Sequence, residues 1–188
     1  HGGSITNNEA DANGGGVAVK GDHSVEWSGG SVTGNTAKNN GSGVYVAESV
    51  ETMEVNGDVN ITGNTNGNVY LPGGKTITVG GALNDSASIG VTSEAVPDDS
   101  TPVTIATAAD NWIKDVNFTA DNSLYKVTVS ADGKTVNLGL HEHQWKVRVK
   151  TGSENILEEY CDVAGCTVAD GTLTLEAPNQ EYSGAPYN

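Results

Sequence analysis

Gly29-Gly30-Ser31-Val32-Thr33-Gly34-Asn35-Thr36-Ala37-Lys38-Asn39-Asn40-Gly41-Ser42-Gly43-Val44-Tyr45-Val46 is the stretch that decides the fold. Its opening matches Gly2-Gly3-Ser4-Ile5-Thr6-Asn7-Asn8, and its close matches Gly16-Val17-Ala18-Val19. A third copy runs Val59-Asn60-Ile61-Thr62-Gly63-Asn64, then Asn68-Val69-Tyr70-Leu71. Ile5 to Val32 is 27 residues and Val32 to Ile61 is 29; Val17 to Val44 is 27 and Val44 to Val69 is 25. A further strip, Val25-Glu26-Trp27, returns 28 residues later as Met53-Glu54-Val55 and continues into Ile77-Thr78-Val79. Repeats of this length cannot bury a core alone, so they stack on their neighbours. Three short apolar strips per repeat, all in one chain direction, predict an all-β parallel β-helix with three faces and about three to four rungs.

Alternation within the strips supports strands. Val17 and Val19 flank Ala18, Val44 and Val46 flank Tyr45, and Met53 and Val55 flank Glu54. With a period of two, the flanking residues face inward and the middle ones outward. Glu26 and Glu54 then share an outer face near stacking register, a mild repulsion that calls for solvent there. Tyr45 and Tyr70 share another, and are read as strand formers ahead of a sugar platform. A polar element recurs at the corners as Thr6-Asn7-Asn8, Thr33-Gly34-Asn35 and Thr62-Gly63-Asn64. Aligned amides form ladders along a stack, so Asn8, Asn35 and Asn64 are expected to close one corner. Gly34 and Gly63 are expected at positive φ there, with Asn7 in the same slot as the next-best residue.

Composition agrees. Gly makes up 25 of 188 residues, and the apolar share of 36% is low for a globular domain, so the chain is turn-dense and strand-forming. The formal charge of −15 repels a phosphate backbone and argues against nucleic acid as a partner. No apolar run is long enough to insert into a membrane. The sequence opens inside a repeat and stops inside a strand pattern, so it is expected to be a piece of a longer chain with neighbouring repeats.

After Asn68 the repeat shortens. Leu71-Pro72-Gly73-Gly74-Lys75 reads as a turn, and Ala82-Leu83 and Ser88-Ile89-Gly90-Val91 as weaker strips. Residues 103–139 are expected to cap the helix. Trp112 and Phe118 would cover the last rung, and Ala131-Asp132-Gly133-Lys134 would turn a hairpin. Residues 29–37, 43–46 and 67–79 resemble the right-handed β-helix repeats of large surface proteins of Gram-positive gut bacteria. The resemblance covers residues 1–140. It implies a right-handed helix in a secreted, cell-wall-attached, adhesin-like protein, and it implies no catalytic residues. The partners expected of such a protein are a host glycan or a surface protein.

At His141 the composition changes, and residues 141–188 are expected to form a small β module that is cut short. His141-Glu142-His143-Gln144-Trp145 precedes Cys161-Asp162-Val163-Ala164-Gly165-Cys166. This segment also resembles a module of the same surface proteins, one with a His-x-His-x-Trp start and a paired-Cys turn. Two His and two Cys can hold structural zinc in a tetrahedron, with His141 and His143 on one side of a strand. Cys161 and Cys166 can equally close a small disulfide loop, as an extracellular place favours, or remain thiols. Either staple would suit a module with little core. Leu173-Thr174-Leu175 and Tyr182-Ser183-Gly184 read as the opening of a further β module.

An enzyme is the alternative reading, because parallel β-helices include polysaccharide lyases and glycosidases. A glycosidase needs two carboxyl groups about 5–9.5 Å apart, one of raised pKa. Asp98-Asp99 lies in a Pro-bounded loop, and Glu9 and Asp11 in a turn. The lysines of the repeats, Lys20, Lys38 and Lys75, lie beside no carboxylate cluster, and the one Arg is Arg148. No catalytic residues are therefore assigned. His23 reads as an exposed turn residue.

Overall fold

The computed structural model describes residues 2–98, 100–153 and 156–174. The chain divides into two compact units, His1–His141 and Glu142–Asn188. The first is a parallel β-solenoid of about four turns. Its first turn carries β1 (Ser4–Thr6), β2 (Glu9–Ala10) and β3 (Val17–Val19). The second carries β4 (Val25–Thr33), β5 (Thr36–Ala37) and β6 (Val44–Val46). β7 (Met53–Ile61) and β8 (Val69–Leu71) make the third, and β9 (Ile77–Leu83) and β10 (Ser88–Ser93) the fourth. β11 (Val103–Ala108) and β12 (Phe118–Ala120) continue the winding, and β13 (Tyr125–Val129) and β14 (Thr135–Leu140) close it.

Three in-register columns fill the interior. Ile5, Val32, Ile61, Ile89 and Phe118 follow one another across parallel pairings. Val17, Val44, Val69, Val91 and Ala120 form the second column. Val25, Met53, Ile77 and Ala106 form the third. The central members are fully buried, while Ile5, Val17 and Val25 at the open end are half-buried. Each buried aliphatic side chain contributes roughly 1.5–3 kcal/mol relative to exposure. The outward neighbours are polar or small, as the period-two pleat requires.

The expected cap begins too early. β11 pairs parallel to β9 and β12 pairs parallel to β10, so residues 103–120 still wind with the solenoid. Phe118 is an interior column member beneath Ile89 rather than a lid. The cap is the β13–β14 hairpin, whose second strand runs antiparallel to β11. Val136 and Leu138 drop from it into the core. Gly133, at φ 66°, donates its N–H to the Ser130 carbonyl at 2.8 Å and turns the hairpin.

The second unit is a three-stranded antiparallel sheet, ordered β15 (Trp145–Val149), β16 (Ile156–Cys161), β17 (Ala169–Thr174). Leu173 and Thr174 belong to β17 and pair with Leu157 and Ile156, so they complete this sheet instead of opening another module. Leu175 and Tyr182–Gly184 lie outside the described residues. Every residue of β15 is exposed. Cys161 is the only buried apolar side chain among the unit's described residues.

Candidate functional site

The corner ladder is the most ordered polar feature of the solenoid. Asn7, Gly34 and Gly63 all adopt left-handed backbone, at φ 56°, 67° and 65°. The Asn that follows each one joins a ladder along the stack, buried at Asn35 and Asn64 and exposed at Asn8. Asn8 donates both its backbone N–H (2.9 Å) and its side-chain amide (3.0 Å) to Asn35 Oδ1. Asn35 does the same to Asn64 Oδ1, at 2.9 and 3.0 Å. Asn64 hands the pattern to Asn68 Oδ1, at 3.0 and 2.9 Å. Asn68 in turn donates to both carboxylate oxygens of Asp121, which also accepts from the Thr92 hydroxyl at 2.7 Å.

The sequence reading missed Asn68 and Asp121, and the reason is steric. β10 runs straight from the Ile column to the Val column, so the fourth turn has no corner Asn to continue the series. Asn68 stands where Gly16 and Gly43 stand in earlier turns, one residue before the Val column. At Gly43 a Cβ would come 2.7 Å from the Asn64 amide; at Gly90 it would come 2.3 Å from the Asn68 amide and 2.5 Å from Asp121. Those two glycines are there to leave room for the ladder. All of its members are bonded to one another, which makes it a brace.

The exposed faces are shallow. Tyr45 and Tyr70 stack on each other, with ring centroids 5.5 Å apart and planes 12° apart. Their outer neighbours in register are Ala18 and Thr92. Each ring therefore spends one face on the other. Burial, then the Glu94 carboxylate, raise the Tyr70 phenol above its usual value. An open groove over Gly2, Gly3, Gly29 and Gly30 holds one carboxylate, Asp58, whose Oδ1 accepts the Ser86 hydroxyl at 2.6 Å.

The other acidic candidates are solvated. Asp98 accepts the Ser100 and Thr101 N–H groups at 2.8 Å each, and these hold its carboxyl below the usual range. Asp132 is held low by the Ser130 hydroxyl. Both shifts run opposite to what a general acid needs. Asp99 lies outside the described residues. Glu9 begins β2 rather than a turn, and Asp11 forms a single ion pair with Lys38 at 2.5 Å. His23 is exposed, 3.9 Å from Asp22.

The His/Cys residues are brought together. One ligand atom from each of His141, His143, Cys161 and Cys166 lies within 4.8 Å of the others. Cys161 ends β16 opposite Trp145, and Cys166 sits in the turn before β17. Gly165, at φ 85°, and the Cys166 N–H to Val163 carbonyl bond at 3.0 Å fold that turn back on itself. His143 lies 4.8 Å from the Trp145 ring centroid, and its Nδ1 is 3.7 Å from Cys166 Sγ. The two sulfurs are not bonded to each other.

Compared with models of known families, with curated proteins and with solved structures, the chain matches none.

Proposed function

We propose that the chain is a non-catalytic solenoid segment of a secreted bacterial surface protein, attached to the cell wall and acting as a stalk with an adhesive outer face. The observation that carries this reading is the outward side of the stack. Ser4, Ser31, Asn60 and Ser88 succeed one another in register across β1, β4, β7 and β10. The Ser31 and Ser4 hydroxyls bond at 3.0 Å, and the Thr36 and Thr65 hydroxyls at 3.0 Å. Such a face repeats hydroxyl and amide groups at the rung spacing of about 4.8 Å, over a rigid core. It suits weak, repeated contacts with a glycan or a protein surface, where many copies on one cell turn low affinity into avidity. The acidic exterior keeps neighbouring chains apart and soluble.

Antibody raised against residues 1–141 should label intact producing cells; label only after lysis contradicts the surface placement. On an array of mucin and plant glycans, a multimerised chain should be retained by at least one glycan family. Retention by none removes the adhesive part. A carbohydrate-active enzyme is the competing reading. Incubation with pectin, other uronates and mucin glycans should give no product above blank, and product formation contradicts the proposal.

A further inference from the structure

We infer that His141, His143, Cys161 and Cys166 bind one divalent cation of the zinc class, and that this cation folds the second unit. The inference is independent of the surface role. It begins from the donor set. Two thiolates and two imidazoles select zinc-type cations over calcium or magnesium, which need oxygen donors. Two thiolates also cancel the ion's charge, so the filled site is neutral and can be placed against the buried Cys161 at small desolvation cost.

Geometry supports it. Bonds of about 2.3 Å to sulfur and 2.0–2.1 Å to nitrogen set tetrahedral donor atoms about 3.3–3.8 Å apart. The Cys166 Sγ to His143 Nδ1 separation of 3.7 Å already has that length. The whole set, within 4.8 Å, needs at most about 1.5 Å of contraction to close around an ion. His141 is chemically prepared. Its Nδ1 lies 3.0 Å from the Leu124 carbonyl, which can only accept, so Nδ1 carries the proton and Nε2 the lone pair. That is the outer-shell bond that metal-binding imidazoles usually make. One residue, Glu142, separates His141 from His143 in the sequence. The chain itself therefore keeps the two imidazoles close.

Energetics give the cation its work. A small three-stranded sheet with one buried apolar side chain among its described residues gains from a staple. Of its ion pairs, Lys146–Asp162 is exposed and contributes little, while Arg148–Glu158 is exposed on its Arg side only. A structural zinc site supplies folding free energy outright.

The test uses the full chain, reduced and stripped of metal, then titrated with Co²⁺ and Zn²⁺. Expected are one equivalent bound, tetrahedral cobalt absorption with thiolate charge transfer, and loss of both when Zn²⁺ is added. Amide signals of β15–β17 should gain dispersion on loading and collapse with a chelator, while those of β7 stay put. C161S and H143A should each weaken Zn²⁺ by more than about 100-fold, beyond the 10–100-fold of an outer-shell loss. No metal uptake by the reduced chain, or octahedral cobalt absorption, overturns the inference. So does a chain isolated from its native setting with a Cys161–Cys166 disulfide, read as a mass deficit of two hydrogens.

Discussion

The two units solve the same problem in opposite ways. In the solenoid the inner strands, such as β6 and β7, gain partners from the turn before and the turn after, so burial accumulates with each copy. Ile61, Val55 and Val44 reach zero exposure on strands that could not bury anything alone. Among its described residues the second unit shows no such repeat. Trp145, Val147 and Val149 remain 41%, 57% and 54% exposed, and the unit carries three of the four metal-type ligands, His143, Cys161 and Cys166. Stacking makes stability a matter of register; a small sheet makes it a matter of a staple.

Substitutions should separate the two regimes. The largest effect belongs to the interior column. Ile61→Ala removes a fully buried side chain between Val32 and Ile89 and should cost about 2–5 kcal/mol in chemical unfolding of the solenoid. The β15–β17 amide signals should not change with it. Next comes the ladder. Asn64→Ala strands the buried Asn35 N–H and should cost about 1–3 kcal/mol, whereas Asn8→Ala, at the exposed end, should cost less than about 1 kcal/mol. Equal losses at the two positions would mean that the ladder is not graded by burial. Gly63→Ala forces a Cβ into left-handed backbone and should cost about 1–2 kcal/mol; Gly63→Asn should be milder, because Asn7 already holds that conformation.

The smallest effect is on acid stability. Asp98 and Asp132 have carboxyl groups held below the ordinary value of 3.8 in the folded chain. Their contribution is present above the unfolded value and is lost as pH falls through the folded values. Melting temperature should therefore be insensitive to these two groups from neutral pH down to about 5, and fall with them below about pH 4. Asp98→Ala and Asp132→Ala together should flatten that fall slightly. A steeper fall in the double variant contradicts the assignment.

The sequence was legible where a large apolar residue met a repeated turn. Ile5, Val32 and Ile61 could be aligned by eye because each precedes Thr and a left-handed residue. The later winding was hidden because Ala106, Ala108 and Ala120 fill interior positions with side chains too small to mark a column. The missing corner between Ile89 and Val91 also broke the period. Asn68 and Asp121 meet across 53 residues, and no local pattern announces such a contact. The His and Cys ligand types could be read directly. Their convergence depends on β16 ending opposite Trp145, a register that the sequence of so short a sheet does not specify.

Methyl-to-methyl nuclear Overhauser effects along the Ile5–Val32–Ile61–Ile89 column test the central claim most directly. Neighbouring turns lie about 4.8 Å apart and next-neighbours about twice that. Cross-peaks should link Ile5 to Val32, Val32 to Ile61 and Ile61 to Ile89, and none should link Ile5 to Ile61. A strong Ile5–Ile61 cross-peak, or the absence of the Val32–Ile61 one, would contradict the stacked solenoid.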